Sequence, residues 1–149
     1  MADKLQFELV SPEKLLLSEA VGMVVVPGTE GNFGVLPGHA LFISTVRPGV
    51  IDVYEDKTVS ERIFVSGGFA EVTPERCTVL ADEAMPISSL DRTAIEAEAK
   101  RLESTAGGLK DQAARLSGAE REEALMRLRA AERQLAVAAA KLAALGAVH

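Results

Sequence analysis

Leu5, Phe7 and Leu9 alternate with Gln6 and Glu8, so the chain opens on a half-buried strand that Ser11-Pro12 brings to an end. Similar alternations or short apolar runs recur at residues 14–17, 21–26, 33–36, 42–47, 50–54, 59–65, 69–73 and 76–81. Between them stand turn formers: Pro48-Gly49, Gly67-Gly68 and the polar tip Glu55-Asp56-Lys57. Many short strands at near-regular spacing, with no helical segment among them, predict an antiparallel β-sandwich or flattened barrel.

The period changes near Met85 and Pro86. No proline follows, and Ala, Glu, Arg and Leu take over. Ser88 and Ser89 ahead of Leu90-Asp91 offer an N-cap hydroxyl and an acid for a first turn. Ile95, Ala99, Leu102 and Ala106 then recur at helical spacing, and Gly107-Gly108 is expected to weaken or end that helix. Ser117 with Glu120 forms a capping box for a second helix starting near Gly118 or Ala119. Its apolar stripe is Leu125, Leu128, Leu135, Leu142 and Leu145, joined by Ala131 and Ala138. The expected architecture is therefore all-β plus α: a sandwich over residues 1–86 and an antiparallel two-helix hairpin over 87–149. Alanine favours helix but buries little area, so the seam of the hairpin should be close-packed yet thin.

One stretch, residues 27–47, concentrates unusual turn chemistry. Gly28, Gly31, Gly34 and Gly38, with Pro27 and Pro37, demand tight turns, and Phe33, Val35, Leu36, Leu41, Phe42 and Ile43 can reach a core. Glu30, Asn32 and His39 can face outward. A phosphate cradle is disfavoured here, because no Lys-Ser/Thr pair and no amphipathic helix follow the glycines. The segment looks built to present a surface.

Charge and composition narrow the function classes. Residues 1–86 carry 6 Lys/Arg against 13 Asp/Glu, a net −7, and residues 87–149 carry 10 against 9, a net +1, so the acidity behind the overall −6 resides in the first part. An acidic balance with 4% aromatic residues argues against nucleic acid as a partner. The single cysteine, Cys77, excludes an internal disulfide framework and alternates with Val79 and Ala81, which suits a buried thiol. His39 and His149 are the only histidines, so neither a zinc spacing nor a Ser/His/Asp or Cys/His arrangement is recognisable. Asp82-Glu83 point to opposite sides of a strand and cannot act as a carboxylate pair. The first residues contain no apolar leader, and no apolar stretch reaches bilayer-spanning length, so membrane association is expected only through a partner. These observations lead to a two-domain interaction protein. Catalytic, cofactor and metal sites are all expected to be absent.

Three segments carry a resemblance. GNFGVLPGHA (residues 31–40), SGG (66–68) and VLAD (79–82), followed by an Ala/Glu/Arg hairpin, closely resemble the epsilon subunit family of bacterial F-type ATP synthases, equivalent to the mitochondrial delta subunit. The resemblance implies a non-catalytic central-stalk subunit with a ten-stranded sandwich, which couples rotation of the c-ring through gamma to ATP synthesis. It implies a position at the cytoplasmic face of the bacterial inner membrane, held there by the complex. By the same resemblance Glu30, Gly31 and Asn32 fall at the c-ring interface, with Asn32 where the family often has an acid. His39 and Ser44 fall on the side facing gamma. In some members the hairpin restrains ATP hydrolysis, which makes Arg121, Arg127, Arg129 and Arg133 candidate contacts to the alpha and beta subunits. Some members also bind ATP through an I/L-D-x-x-R-A motif. Here Leu90-Asp91 is followed by Arg92-Thr93-Ala94, so the motif's arginine is missing and tight ATP binding is not implied. A reading from another class is a free-standing β-sandwich adaptor or ligand-binding module with a helical tail.

Overall fold

A computed structural model describes residues 4–147; the first residues of the acidic opening stretch and the terminal histidine lie outside the described residues. The chain forms two compact units, Met1–Ser89 and Leu90–His149.

The first unit contains ten strands: β1 (Leu5–Val10), β2 (Leu15–Val21), β3 (Met23–Gly28), β4 (Gly31–Val35), β5 (Phe42–Val46), β6 (Gly49–Glu55), β7 (Thr58–Val65), β8 (Gly68–Val72), β9 (Arg76–Ala81) and β10 (Ala84–Pro86). They run in the order β10-β7-β6-β3-β5-β8-β9-β1-β2, with β4 paired to β3. All pairings are antiparallel except β1 with β9, which is parallel. The sheet curls over one core, to which β1, β2, β5, β8 and β9 contribute Leu5, Phe7, Leu9, Val21, Val46, Ala70, Val72, Cys77, Val79 and Ala81. Val24, Val26, Val35, Ile51, Val53, Ile63 and Val65 meet them from β3, β4, β6 and β7. Within each strand these residues fall at every second position, as period-two burial requires.

β3 is the corner. Met23, Val24 and Val25 pair with Tyr54, Val53 and Asp52 of β6, while its last residue, Gly28, pairs with Val46 of β5. One strand therefore passes from one half of the sheet to the other, and the 27–47 stretch begins where it crosses. Gly34 departs from expectation: it lies inside β4 opposite Val25 and makes no turn. β10 is likewise absent from the period-two pattern, since Ala84, Met85 and Pro86 do not alternate. Its register against Val65, Phe64 and Ile63 of β7 makes it a strand.

A short 3-10 turn (Ile87–Ser89) leads to the second unit, helices α1 (Arg92–Arg115) and α2 (Gly118–Ala147). The N-cap of α1 is Asp91, not Ser88 or Ser89; its carboxylate accepts from the N–H groups of Thr93 (3.1 Å) and Ala94 (3.4 Å). Ser89 instead donates its hydroxyl to the Pro86 carbonyl. The helix also runs straight through Gly107-Gly108. The reason is tertiary: Ile95, Ala99, Leu102, Ala106, Leu109 and Ala113 repeat at 4-3 spacing and face Ala124, Leu128, Ala131, Leu135, Ala138 and Leu142 of α2. The seam on both sides of the glycines overrides their poor propensity. Ala124, rather than Leu125, is the buried start of the α2 stripe.

Candidate functional site

The β3–β4 hairpin ends in a two-residue loop, Thr29-Glu30, with Gly28 opposite Gly31 and Pro27 opposite Asn32. Gly31 takes φ +132°, a conformation that L side chains rarely adopt, and this sets the local turn. Glu30, Gly31 and Asn32 are exposed. The tip is nevertheless fixed from β5. The Thr29 N–H donates to the Thr45 carbonyl at 3.1 Å, their hydroxyls lie 2.6 Å apart, and the Arg47 N–H donates to the Pro27 carbonyl at 2.8 Å. The Arg47 guanidinium donates to the Gly28 carbonyl (2.5 Å) and to Asn32 Oδ1 (2.7 Å). Nothing in the 27–47 pattern singles out Arg47, because it ends an apolar run and its partners lie 15 and 19 residues earlier.

Between tip and strand lies a shallow depression lined by Glu30, Asn32, Phe33, Phe42 and Ser44. Phe33 and Phe42 pack edge to face, with ring centroids 5.2 Å apart. His39 tilts against Phe42, and its Nδ1 lies 2.8 Å from the Ala40 carbonyl. Ser44 pairs with the buried Ala70 and donates its hydroxyl to the Thr45 carbonyl. Glu30, Gly31, Asn32, His39 and Ser44 are thus gathered around Phe42.

Register reveals a second surface. On the side of the sheet away from the core, Thr45 is opposite Phe69, Phe69 opposite Leu80, Leu80 opposite Val10 and Val10 opposite Leu15. Phe69, Leu80 and Leu15 are 55%, 50% and 55% exposed, and Ile43 in the adjoining row is 72% exposed. An apolar row of this kind across four strands marks a contact surface. Each residue is visible in the sequence, but the row exists only once β1 pairs with β9.

The groups with chemical potential do not converge on a reaction centre. Cys77 lies in the core, and burial pushes its thiol up to about 12, so it stays a thiol at neutral pH. Among the described residues no three metal-ligating side chains come together. Glu19 on β2 and Glu61 on β7 share sides with the buried Phe7 and Val53 and meet at the rim of the core. Glu61 Oε2 is buried and has no hydrogen-bond partner among the described residues, so a proton on Glu19 would offer it a donor. The hydrogen bond to Glu61, then burial, then the charges of Glu61 and Glu55 raise the Glu19 carboxyl from its ordinary 4.5 to about 7. Lys4 bridges Glu55 nearby and offsets part of that charge. A carboxyl raised on folding contributes stability that is whole below 4.5 and lost as pH climbs through 7. Between about pH 5 and about pH 8 the sandwich is expected to lose up to about 1 kcal/mol from this pair, a small figure because solvent screens the rim. Thermal melts across that range should show the slope in the wild-type chain and its loss in Glu19→Gln; equal slopes would contradict the shared proton.

On α2, Arg121, Arg127, Arg129 and Arg133 are all exposed. Arg127 pairs with Glu123 one turn back (3.2 Å), whereas Arg129 and Arg133 lie one turn apart on a common stripe. Asp91 is committed to capping α1. No helix among the described residues is long and apolar enough to cross a membrane.

Residues 4–87 match the family described as the ATP synthase delta/epsilon chain, β-sandwich domain. The chain is 65% identical over 107 residues to the ATP synthase epsilon chain of Rhodospirillum centenum, covering 68% of this chain and 73% of the relative. It is 55% identical over 124 residues to that of Rhodospirillum rubrum (83% and 90%) and 47% identical over 129 residues to that of Parvibaculum lavamentivorans (87% and 98%). Among solved structures, a chain of the OSCP/F1/c-ring assembly of Euglena gracilis mitochondrial ATP synthase superposes with a TM-score of 0.68 at 25% identity, over 95% of this chain and 81% of that one. A chain of the Tetrahymena thermophila mitochondrial ATP synthase central stalk and c-ring shares the fold, with a TM-score of 0.51 at 16% identity, over 93% and 97%. With more than half its length in the family's sandwich domain and relatives this similar, the chain belongs to the ATP synthase delta/epsilon family, among its epsilon chains.

Proposed function

We propose that the chain is a non-catalytic central-stalk subunit of a proton-translocating ATP synthase, seated between the gamma subunit and the c-ring at the cytoplasmic face of a bacterial inner membrane. The observation that supports this reading is the presence of two separate exposed features on one sandwich, a pinned polar tip and an apolar row. The tip residues Glu30, Gly31 and Asn32 would meet the polar loops of the ring. His39 and Ser44 would meet gamma, together with the row that includes Ile43, Phe69 and Leu80. Torque transfer needs a body that does not deform under load, and a close-packed core with hydrogen-bonded loops supplies one. The relatives' shared epsilon-chain identity outweighs a free-standing adaptor.

The two units divide the work in this proposal: residues 1–86 couple, and residues 87–149 regulate hydrolysis through Arg121, Arg127, Arg129 and Arg133 against the alpha and beta subunits. Truncation after Pro86 tests the division. The shortened chain should still co-purify with gamma and the c-ring in membranes and support proton-driven ATP synthesis, while ATP hydrolysis by the complex rises. Loss of assembly would make the hairpin structural instead, and failure of the full-length chain to co-purify with gamma would overturn the stalk assignment.

A further inference from the structure

We infer that Arg47 is the positioning residue of the 29–32 tip, a strut that fixes its shape and its angle on the sandwich. The functional arm of this inference rests on the ring-contact reading of the tip; the structural arm does not. β3 and β5 share a single residue pair, Gly28 with Val46, and beyond it the hairpin leaves the ladder. The tip has no packing to hold it: Glu30 and Asn32 are exposed, and a side chain placed at Gly31 would meet nothing within 4 Å. Phe33 of β4 packs on Phe42 of β5 at its base, and beyond that contact the orientation of the tip depends on polar contacts to β5. Arg47 makes the one that spans the hairpin, since Gly28 lies on β3 and Asn32 on β4, and one guanidinium donates to both. A rigid fork with several donors suits this geometry. A lysine ammonium on a flexible stem would hold one acceptor at a time.

The chemistry of the second acceptor gives a test of opposite sign. Asn32 is neutral, so in its bond to Arg47 only the donor is charged; a carboxylate at that position would turn it into an ion pair and strengthen it. Amide exchange of the full-length chain measures the outcome, with the Thr29 N–H bonded to Thr45 as reporter and the Gly22 N–H, bonded to Tyr54 on β6, as control. Arg47→Ala should speed Thr29 exchange about tenfold or more while leaving Gly22 unchanged, and Asn32→Asp should slow Thr29. Arg47→Lys should fall between wild type and Arg47→Ala. In the assembled complex, Arg47→Ala should lower the protons pumped per ATP hydrolysed several-fold.

Unchanged Thr29 exchange in both Arg47→Ala and Asn32→Asp would overturn the strut, as would equal acceleration of Thr29 and Gly22, which would report general destabilisation. A loosened tip with unchanged pumping would leave the strut standing and remove the ring-contact reading.

Discussion

Gly68→Ala will cost the sandwich more than about 3 kcal/mol, enough to leave it largely unfolded if its stability lies at the low end of the usual range of about 5–15 kcal/mol. A Cβ at this position would lie 1.9 Å from the Leu80 carbonyl oxygen and 2.9 Å from its carbon. Both are backbone atoms of β9, whose register against β8 is fixed by the pairs Gly68–Ala81 and Phe69–Leu80. No flexible side-chain end can swing aside, so relief requires separating two central strands. The backbone adds its own objection, since φ is +143°. Gly34→Ala provides the contrast. There a Cβ would approach only Met23 Sδ, at 3.8 Å, and the strand conformation is ordinary, so the change should be neutral within about 0.5 kcal/mol. Tyr54 is the single tyrosine and sits in β6, so its fluorescence follows the sandwich alone during urea unfolding. A Gly68→Ala midpoint matching that of wild type would show that the β7–β8 connection can relax in a way the geometry forbids.

The same position shows where sequence reasoning stops. Gly67-Gly68 is legible as a turn, because two glycines between apolar runs have few other uses. That the second must stay glycine depends on Leu80, twelve residues on, which no local pattern supplies. Most strands were legible because they carry their own alternation or short apolar run, and Leu5, Phe7 and Leu9 face the core as alternation requires. Gly34 misled because a glycine in a glycine-rich segment suggests a turn, whereas here it is a strand position opposite Val25. Within the candidate site, Glu30, Asn32 and His39 were legible as outward-facing residues of a shaped loop. Arg47 was not, since a cation closing an apolar run is most simply a solvated end. The Phe69–Leu80–Val10–Leu15 row and the Glu19–Glu61 pair were hidden for a related reason. Both need strands distant in sequence to be neighbours, and the row crosses the parallel β1–β9 pair.

Alanine at both Gly107 and Gly108 should stabilise the hairpin by about 1–2 kcal/mol, the largest gain available from two substitutions that touch nothing. Both glycines are exposed in the interior of α1, and a Cβ on either would have no atom within 4 Å. The change therefore adds no contact and removes none. It acts by narrowing the unfolded ensemble and improving helix propensity, each glycine costing roughly 1 kcal/mol relative to alanine in such a place. Ala106 and Leu109 flank the pair and are half-buried, while Leu102 and Ala113 beyond them are buried, so the seam is complete without the glycines. Thin alanine layers on both helices make its stabilisation modest, which is why two surface substitutions weigh heavily. Thermal melting of the full-length chain followed at the helical circular dichroism band should show the helical transition several degrees higher, with the Tyr54 transition of the sandwich unmoved. A helical transition that stays in place or falls would mean that α1 does not pass through 107 and 108 as a regular helix in solution, and that the original expectation of a break at these glycines was correct.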